Sequence, residues 1–267
     1  MKNIIDHHVH TDFSADSTTP PEEIIHKAKS LNLSGVMFTD HVDYDYPDEN
    51  INFGIDYSLY MKKLEDLRKE HQNMKILMGV EIGYQPHIHH KLNELLNNYP
   101  FDFVIASLHT CDGNDFYRGD FFKGRTKEES YRKYFEGLLH LVKNYDNYDV
   151  LGHFDFIIRY VPYEEKKINY EDFKDIIDEI LMEVIKKNKG IEVNTSGIRY
   201  NLEEVHPSRE ILKRYLELGG EIVTIGSDAH YSEDLCRDFD YAINLLKELG
   251  YKRITLFEKR KPNFIDI

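Results

Sequence analysis

The sequence predicts an α/β protein, a closed βα barrel of about seven units forming one domain over residues 1–267. Three observations lead to that fold class. Short apolar runs alternate with amphipathic helical segments along nearly the whole chain, with no Pro/Gly/Ser-rich linker between them. The length of 267 residues is near the roughly 250 typical of such barrels. Six of the apolar runs end, within a residue or two, in a potential metal ligand.

Taken in order, Ile4-Ile5 leads into Asp6-His7-His8-Val9-His10. Ser17, Thr18 and Thr19 then offer capping oxygens ahead of Pro20-Pro21, Glu22 and Glu23 fill a first turn, and Ile24, Ala28 and Leu31 recur at helical spacing. The run from Gly35 to Thr39 reaches Asp40-His41, and the next helix carries Tyr60, Leu64 and Leu67 on its apolar face. Lys75 to Val80 leads to Glu81, and Phe103 to Leu108 leads to His109. Beyond Arg125-Thr126, Tyr131, Phe135, Leu138 and Val142 mark another helix face, after which Asp149 to Gly152 ends in His153. Asn169 is placed to cap a helix with Phe173, Ile177, Ile180 and Val184 inside. Gly190 to Asn194 closes on Thr195-Ser196-Gly197-Ile198-Arg199, and Glu221 to Ser227 ends in Asp228-Ala229-His230. Helices span roughly Ser208 to Leu218 and Asp238 to Leu249, and Arg253 to Phe257 reads as an extra strand or a pairing tail. Two connections are long, Val42 to Ile55 and Thr110 to Arg125. Each follows a ligand-bearing strand end, which makes it a candidate lid or substrate wall.

Charge limits the partners. The 34 basic residues against 48 acidic ones give −14, which repels nucleic acid and anionic membranes, so no nucleic acid and no membrane partner is expected. Met1-Lys2-Asn3 enters the first run without a charged leader or cleavage pattern, and no run has membrane-spanning length. Two cysteines, Cys111 and Cys236, stand far apart outside any paired spacing, which suits a reducing compartment; a cytoplasmic enzyme is expected.

Residues two apart in an extended strand face the same way, so His8 and His10 can both point at one ion while His7 faces the other side. Asp6 can share that direction as a ligand or as a partner orienting a histidine ring. In a parallel barrel the C-terminal strand ends converge on one mouth, where His8, His10, His41, Glu81, His109, His153, Asp228 and His230 would meet without being sequence neighbours. Independently placed core histidines would not put 6 of the 14 histidines at this one topological position. A set of imidazoles and carboxylates without thiolate suits zinc, manganese or iron. His26, His71 and His140 lie in helices, His206 precedes Pro207, and His87, His89 and His90 follow Glu81 where a loop turns into a helix; these are expected outside the site, and Cys111 beside it only incidentally.

These residues resemble those of the PHP (polymerase and histidinol phosphatase) superfamily. Asp6-x-His8-x-His10 resembles its first motif, Thr39-Asp40-His41 its second, Glu81 and Ser107-Leu108-His109 its middle pair, and Ser227-Asp228-Ala229-His230 its last. The resemblance spans nearly the whole chain and implies a distorted (β/α)7 TIM-like barrel, the PHP fold, holding three divalent metal ions. By that resemblance His8, His10, Glu81 and Asp228 hold one ion, and Glu81 bridges to a second bound by His109 and His153. Asp16, His41 and His230 hold the third; many members have a histidine where Asp16 stands, and Asp12 is a nearby alternative. Three further stretches are similar to the stand-alone histidinol-phosphate phosphatases: Asp115 to Gly124, His153 to Tyr160, and Asn194 to Arg199.

The implied reaction is hydrolysis of L-histidinol phosphate to L-histidinol and phosphate, in histidine biosynthesis. Six positive charges against three ligand carboxylates, Asp16, Glu81 and Asp228, would leave an electropositive mouth for a phosphate dianion. A water shared by two ions, its pKa lowered from about 15.7 to about 7, would attack phosphorus. Arg159 and Arg199 are expected to bind phosphate oxygens. Glu81, Asp40 and His230 are the expected catalytic groups, with Asp40 or a water supplying the leaving group's proton. The alternative within the superfamily is another small phosphoester, a nucleotide or a short oligonucleotide. An inactive binding module would show lost ligands, and none is missing. An amidohydrolase also begins with His-x-His, but the third ligand set and two arginines favour phosphate.

Overall fold

Each expected apolar run forms a strand, and the first seven lie in one sheet in sequence order, the arrangement that βα crossovers produce. The structure, a computed structural model, describes residues 4–267. The lead of Met1, Lys2 and Asn3 into the first run lies outside the described residues.

The first half contains β1 (Ile5–Asp6), α1 (Pro21–Ser30), β2 (Gly35–Phe38), β3 (His41–Val42), α2 (Tyr57–Glu70), β4 (Lys75–Gly83), α3 (His89–Asn98) and β5 (Phe103–Ser107). A small hairpin, β6 (Thr110–Cys111) and β7 (Asn114–Asp115), precedes α4 (Lys127–Asn144), β8 (Val150–Leu151), α5 (Tyr170–Lys186) and β9 (Gly190–Asn194). The chain ends with α6 (Ser196–Arg199), α7 (Arg209–Glu217), β10 (Val223–Gly226), α8 (Phe239–Leu249), β11 (Arg253–Glu258) and β12 (Lys261–Asp266).

Seven parallel strands run in the order β1-β2-β4-β5-β8-β9-β10. β3 resumes the path of β2 after a break at Thr39-Asp40 and pairs with the second half of β4. The ring closes between β10 and β1: His7 N–H donates to the Ile225 carbonyl (3.2 Å), Ala229 N–H to His8 (3.3 Å) and His10 N–H to Ala229 (2.8 Å). The result is the distorted seven-stranded TIM-like barrel expected from the sequence.

Ile5, Met37, Leu77, Phe103, Ile105 and Val150 fill the barrel near the strand starts, where Phe257 of β11 joins them. The last run is therefore half of an antiparallel hairpin, β11 with β12, that plugs the N-terminal end. Its two-residue turn, Lys259-Arg260, has φ of 53° and 61°, the type I′ geometry that usually calls for glycine or asparagine. Asp102 holds it: Lys259 N–H donates to Asp102 Oδ1 (3.0 Å) and Arg260 N–H to the Asp102 carbonyl (2.9 Å). Arg260 Nε reaches Asp149 Oδ2 at 2.5 Å.

Outside the barrel, α4 buries Tyr131, Tyr134, Phe135, Leu138, Leu141 and Val142, and α5 buries Phe173, Ile176, Ile177, Ile180, Leu181 and Val184. At about 1.5–3 kcal/mol for each large apolar side chain buried, these two faces anchor that flank. A capping box of Thr126 and Glu129 starts α4. Two expected caps are used otherwise. α1 begins at Pro21 without a side-chain cap, because the Ser17 and Thr19 hydroxyls donate to the His230 carbonyl (2.8 and 2.9 Å). Asn169 likewise makes no capping bond to α5. Among the described residues, no helix is long and apolar enough to cross a membrane.

Candidate metal centre

The barrel brings all nine expected ligands to one mouth. His8 and His10 follow β1, Asp16 lies in the turn before α1, His41 opens β3 and Glu81 sits within β4. His109 follows β5, His153 follows β8, and Asp228 and His230 follow β10.

Their donor atoms form three groups about Glu81. His8 Nε2 and His10 Nε2 lie 3.1 and 3.6 Å from Glu81 Oε2, and 3.8 and 3.4 Å from Asp228 Oδ1. On the other side, His153 Nε2 and His109 Nε2 lie 2.9 and 3.3 Å from Glu81 Oε1 and 3.4 Å from each other. In the third group, His41 Nε2 and His230 Nε2 lie 3.3 and 3.1 Å from Asp16 Oδ2. Asp12 takes no part in these contacts. His41 also faces inward, with Nδ1 3.0 Å from Glu81 Oε2. Ligands about 2.0–2.2 Å from a shared cation stand roughly 3–3.5 Å apart, so these spacings fit cation sites.

Unpartnered atoms mark the same points. His8 Nε2, His10 Nε2, His41 Nδ1 and Glu81 Oε2 are buried without a hydrogen-bond partner. Each such group costs about 1–3 kcal/mol if left unmet, so their convergence fits a cation that meets them together. The donor set, nitrogen and oxygen without thiolate, suits zinc, manganese or iron.

Without a cation, charge is shared within the cluster. Burial alone would raise the Glu81 and Asp228 carboxyls, but neighbouring imidazoles outweigh it and hold both well below the usual carboxylate range. Against the same burial, carboxylates push His8 and His41 well above the ordinary histidine value. Burial lowers His10, and His41 and His230 depress it further. Cation uptake must therefore displace protons.

A second ring of acids supports the first. Glu192 Oε1 lies 2.6 Å from His8 Nδ1, and Asp43 Oδ1 lies 2.8 Å from His109 Nδ1. Asp6 orders backbone instead: it accepts from Ser227 N (2.9 Å), Ser227 Oγ (2.5 Å), Cys236 N (2.8 Å) and His8 N (3.2 Å). His7 points away, its Nδ1 3.0 Å from the Ile5 carbonyl and its ring edge-on to Phe103.

The cavity above the donors holds about 270 Å³. Both long connections form its wall, the first with Asp43, Tyr46 and Phe53, the second with Asp115 and Tyr117. Phe156, Arg159, Tyr160, Tyr200 and Tyr231 complete it. The Arg159 side chain is largely covered, donates to Ser196 Oγ (2.5 Å) and Asp228 Oδ2 (3.3 Å), and lies 4.1 Å from the Tyr200 ring centroid.

Two expected site residues lie apart from the cavity. Asp40 has no face on it; its carboxylate accepts from Thr11 N (2.6 Å), Thr11 Oγ1 (3.0 Å) and Ser14 Oγ (2.8 Å), and burial raises its pKa to about 6. Those bonds tie its carboxylate to the turn behind His10. Arg199 donates to the carbonyls of Ser227 (3.1 Å) and Asp228 (2.8 Å), so it grips the ligand-bearing backbone instead of facing a phosphate. Asp228 has φ of 55°, a left-handed conformation that a non-glycine residue keeps only when held.

The other histidines stay outside, as expected. His89 Nε2 and His140 Nδ1 each lie 2.8 Å from Tyr84 Oη, and His206 Nδ1 lies 2.5 Å from Asp155 Oδ1. Cys111 is buried away from the cavity. Sequence reasoning missed Glu192 and Asp43, and met Asp115 only as the start of the stretch Asp115 to Gly124. Glu192 left one signal, a charged residue inside the apolar stretch Ile191-Glu192-Val193.

A family model described as the PHP domain matches residues 6–196. A protein of Clostridium acetobutylicum named probable histidinol-phosphatase is 36% identical over 258 residues, covering 96% of this chain and 98% of that one. The histidinol-phosphatase of Lactococcus lactis is 32% identical over 259 residues, covering 96% of this chain and 95% of that one. A crystal structure of histidinol phosphate phosphatase from Lactococcus lactis, complexed with Zn, L-histidinol and phosphate, matches with a TM-score of 0.91 at 31% identity, over 98% of this chain and 99% of that one.

Proposed function

Because this chain belongs to the PHP domain family, we propose that it is a metal-dependent phosphomonoesterase that hydrolyses L-histidinol phosphate to L-histidinol and phosphate. The observation that carries the proposal is the two-ended chemistry of one small cavity. Its floor is the donor cluster with Arg159, and its wall carries Asp115 among aromatic rings. The substrate has the matching ends, a phosphate dianion at one and an amine with an imidazole at the other.

Three divalent cations, zinc, manganese or iron, are assigned to the three donor groups: one to His8, His10, Glu81 and Asp228, one to Glu81, His109 and His153, and one to Asp16, His41 and His230. Bound there, they would supply a water that ionises near neutral pH and would neutralise phosphoryl oxygens. Glu81 places one oxygen toward each of two groups and so sets their separation. Arg159 lines the cavity, where its guanidinium offers positive charge and donors to phosphate oxygens. Tyr200 stacks on its guanidinium and limits its motion.

Charge balance is closer than the ligands alone suggest. Asp43 and Glu192 stand directly behind ligand histidines, so five carboxylates oppose the six charges of three divalent ions. Arg159 adds one positive charge, leaving about the two that a phosphate dianion cancels. At the wall, Asp115 is positioned by Tyr117 N–H (2.8 Å) and offers a carboxylate to the substrate amine. Tyr117, Tyr160 and Phe156 give flat surfaces for an imidazole. A cavity of only about 270 Å³ in a chain of net charge −14 favours a small monoester over nucleic acid. Buried, unpaired Cys111 and Cys236 fit action in the cytoplasm.

The test is turnover by protein loaded with manganese or zinc on histidinol phosphate, beside a panel of phosphomonoesters and a phosphodiester. Histidinol phosphate is expected to lead by a wide margin. Equal turnover across the panel rejects the substrate while sparing the metal chemistry.

A further inference from the structure

Glu192 is a carboxylate in the middle of β9, in register with Thr224 of β10, and fully buried. Its neighbours Ile191 and Val193 belong to the outer apolar core, so Glu192 alone in that stretch turns into the barrel. Among the described residues, no Lys or Arg pairs with it. Oε1 lies 2.6 Å from His8 Nδ1, while Oε2 accepts from the His153 backbone N–H (2.9 Å) and from Asn194 Nδ2 (3.1 Å). It thus touches ligands on both sides of Glu81, one by its ring and one by its backbone.

The surrounding fold keeps this arrangement open. A Cβ at Gly226 of β10 would collide with Glu192 Oε1 and with His8 Cβ, so the adjacent strand gives up a side chain where the two meet. A buried carboxylate is costly, and an imidazole N–H is the partner it has here.

We propose that Glu192 is a positioning residue for the cation held by His8, His10, Glu81 and Asp228. By accepting the Nδ1 proton it fixes the tautomer and angle of His8, so that Nε2 presents its lone pair to the site. Through the His153 backbone it sets the spacing of the second group relative to the first. This role rests on the metal-centre reading above and is independent of which phosphoester is hydrolysed.

The experiment compares parent, Glu192→Gln and Glu192→Asp proteins by chelator competition without substrate, and by steady-state kinetics over a metal titration. Glu192→Gln keeps the shape and removes the charge; Glu192→Asp keeps the carboxylate and withdraws it from His8 Nδ1, and reports alone if the first variant does not fold. One ion per chain is expected to bind about 10- to 100-fold more weakly in either variant. KM at saturating metal should stay near the parent value, and kcat should recover as metal is raised. In zinc-loaded parent protein, His8 should show a low-field Nδ1–H resonance that moves upfield in Glu192→Gln, a change that mere loss of stability does not produce. Unchanged affinity for every ion in both folded variants overturns the role while leaving the metal centre standing. A parent that binds no cation removes the metal centre, and this role with it.

Discussion

Replacement of Arg159 by methionine tests how the phosphate is held. The methionine stem retains packing against Tyr200 and Phe156, and what is lost is a cation whose Nε has no partner and whose Nη2 lies 3.3 Å from Asp228 Oδ2. A hydrogen bond to a charged group is worth about 1.5–3 kcal/mol. At about 1.4 kcal/mol per decade, kcat/KM for histidinol phosphate should fall about 10- to 150-fold. Arg159→Lys restores charge without the planar fork and should recover only part of that loss. The assay is phosphate release at limiting substrate, with metal content measured on the same samples. Full metal content with kcat/KM within about twofold of the parent would refute the reasoning. So would a loss that tracks metal loss, since Arg159 would then act only through Asp228.

Arg199→Ala should act differently, because its guanidinium holds the carbonyls beside the left-handed Asp228; metal retention in chelator dialysis should drop while KM stays near that of the parent. Asp115→Asn should raise KM for histidinol phosphate about tenfold or more and leave KM for phenyl phosphate unchanged, since only the first carries an amine. Asp40→Asn should keep kcat within a few-fold, which steady-state kinetics reads directly. Asp40 also predicts a pH effect in the metal-free protein. Burial raises its folded pKa to about 6, above an unfolded value near 3.9, so its neutral form contributes stability that is full below about pH 4 and lost as pH rises through 6. The contribution is about 3 kcal/mol at most, and a denaturant titration of Asp40→Asn across that window should show a correspondingly flatter profile. Chelation should abolish activity and lower the melting temperature, with both restored by zinc or manganese. An ion present at a hundredfold over its Kd contributes about 2.7 kcal/mol to stability.

Much of the site was legible because a parallel barrel turns strand-end positions into neighbours. The runs ending in His10, His41, Glu81, His109, His153 and Asp228 needed only that rule: His10, His41, His109 and His153 each come within about 4 Å of Glu81, and Asp228 within about 4 Å of His10. Arg159 and Arg199 show where the rule stops. Both follow ligand-bearing or neighbouring strands, but side-chain direction in a loop depends on which carbonyls lie within reach, and Arg199 finds those of Ser227 and Asp228 first. Asp40 lies off the cavity for a related reason: its neighbour His41 faces the site, and the break between β2 and β3 turns Asp40 toward Thr11 and Ser14. Glu192 and Asp43 act through histidines distant in sequence, so no local pattern announces their partners. The closing hairpin was equally hidden, because its turn has neither glycine nor asparagine and depends on Asp102.

The seam of the barrel carries a consequence for assembly. β1 and β10 are joined by few backbone bonds around Val9 and Ala229, yet His8 and His10 lie on one side of that joint and Asp228 and His230 on the other. A cation shared across it would work as a clasp between residues more than two hundred positions apart. A chain emerging from the ribosome cannot fasten that clasp until His230 has been made, so ring closure and the gain of catalytic power would arrive together.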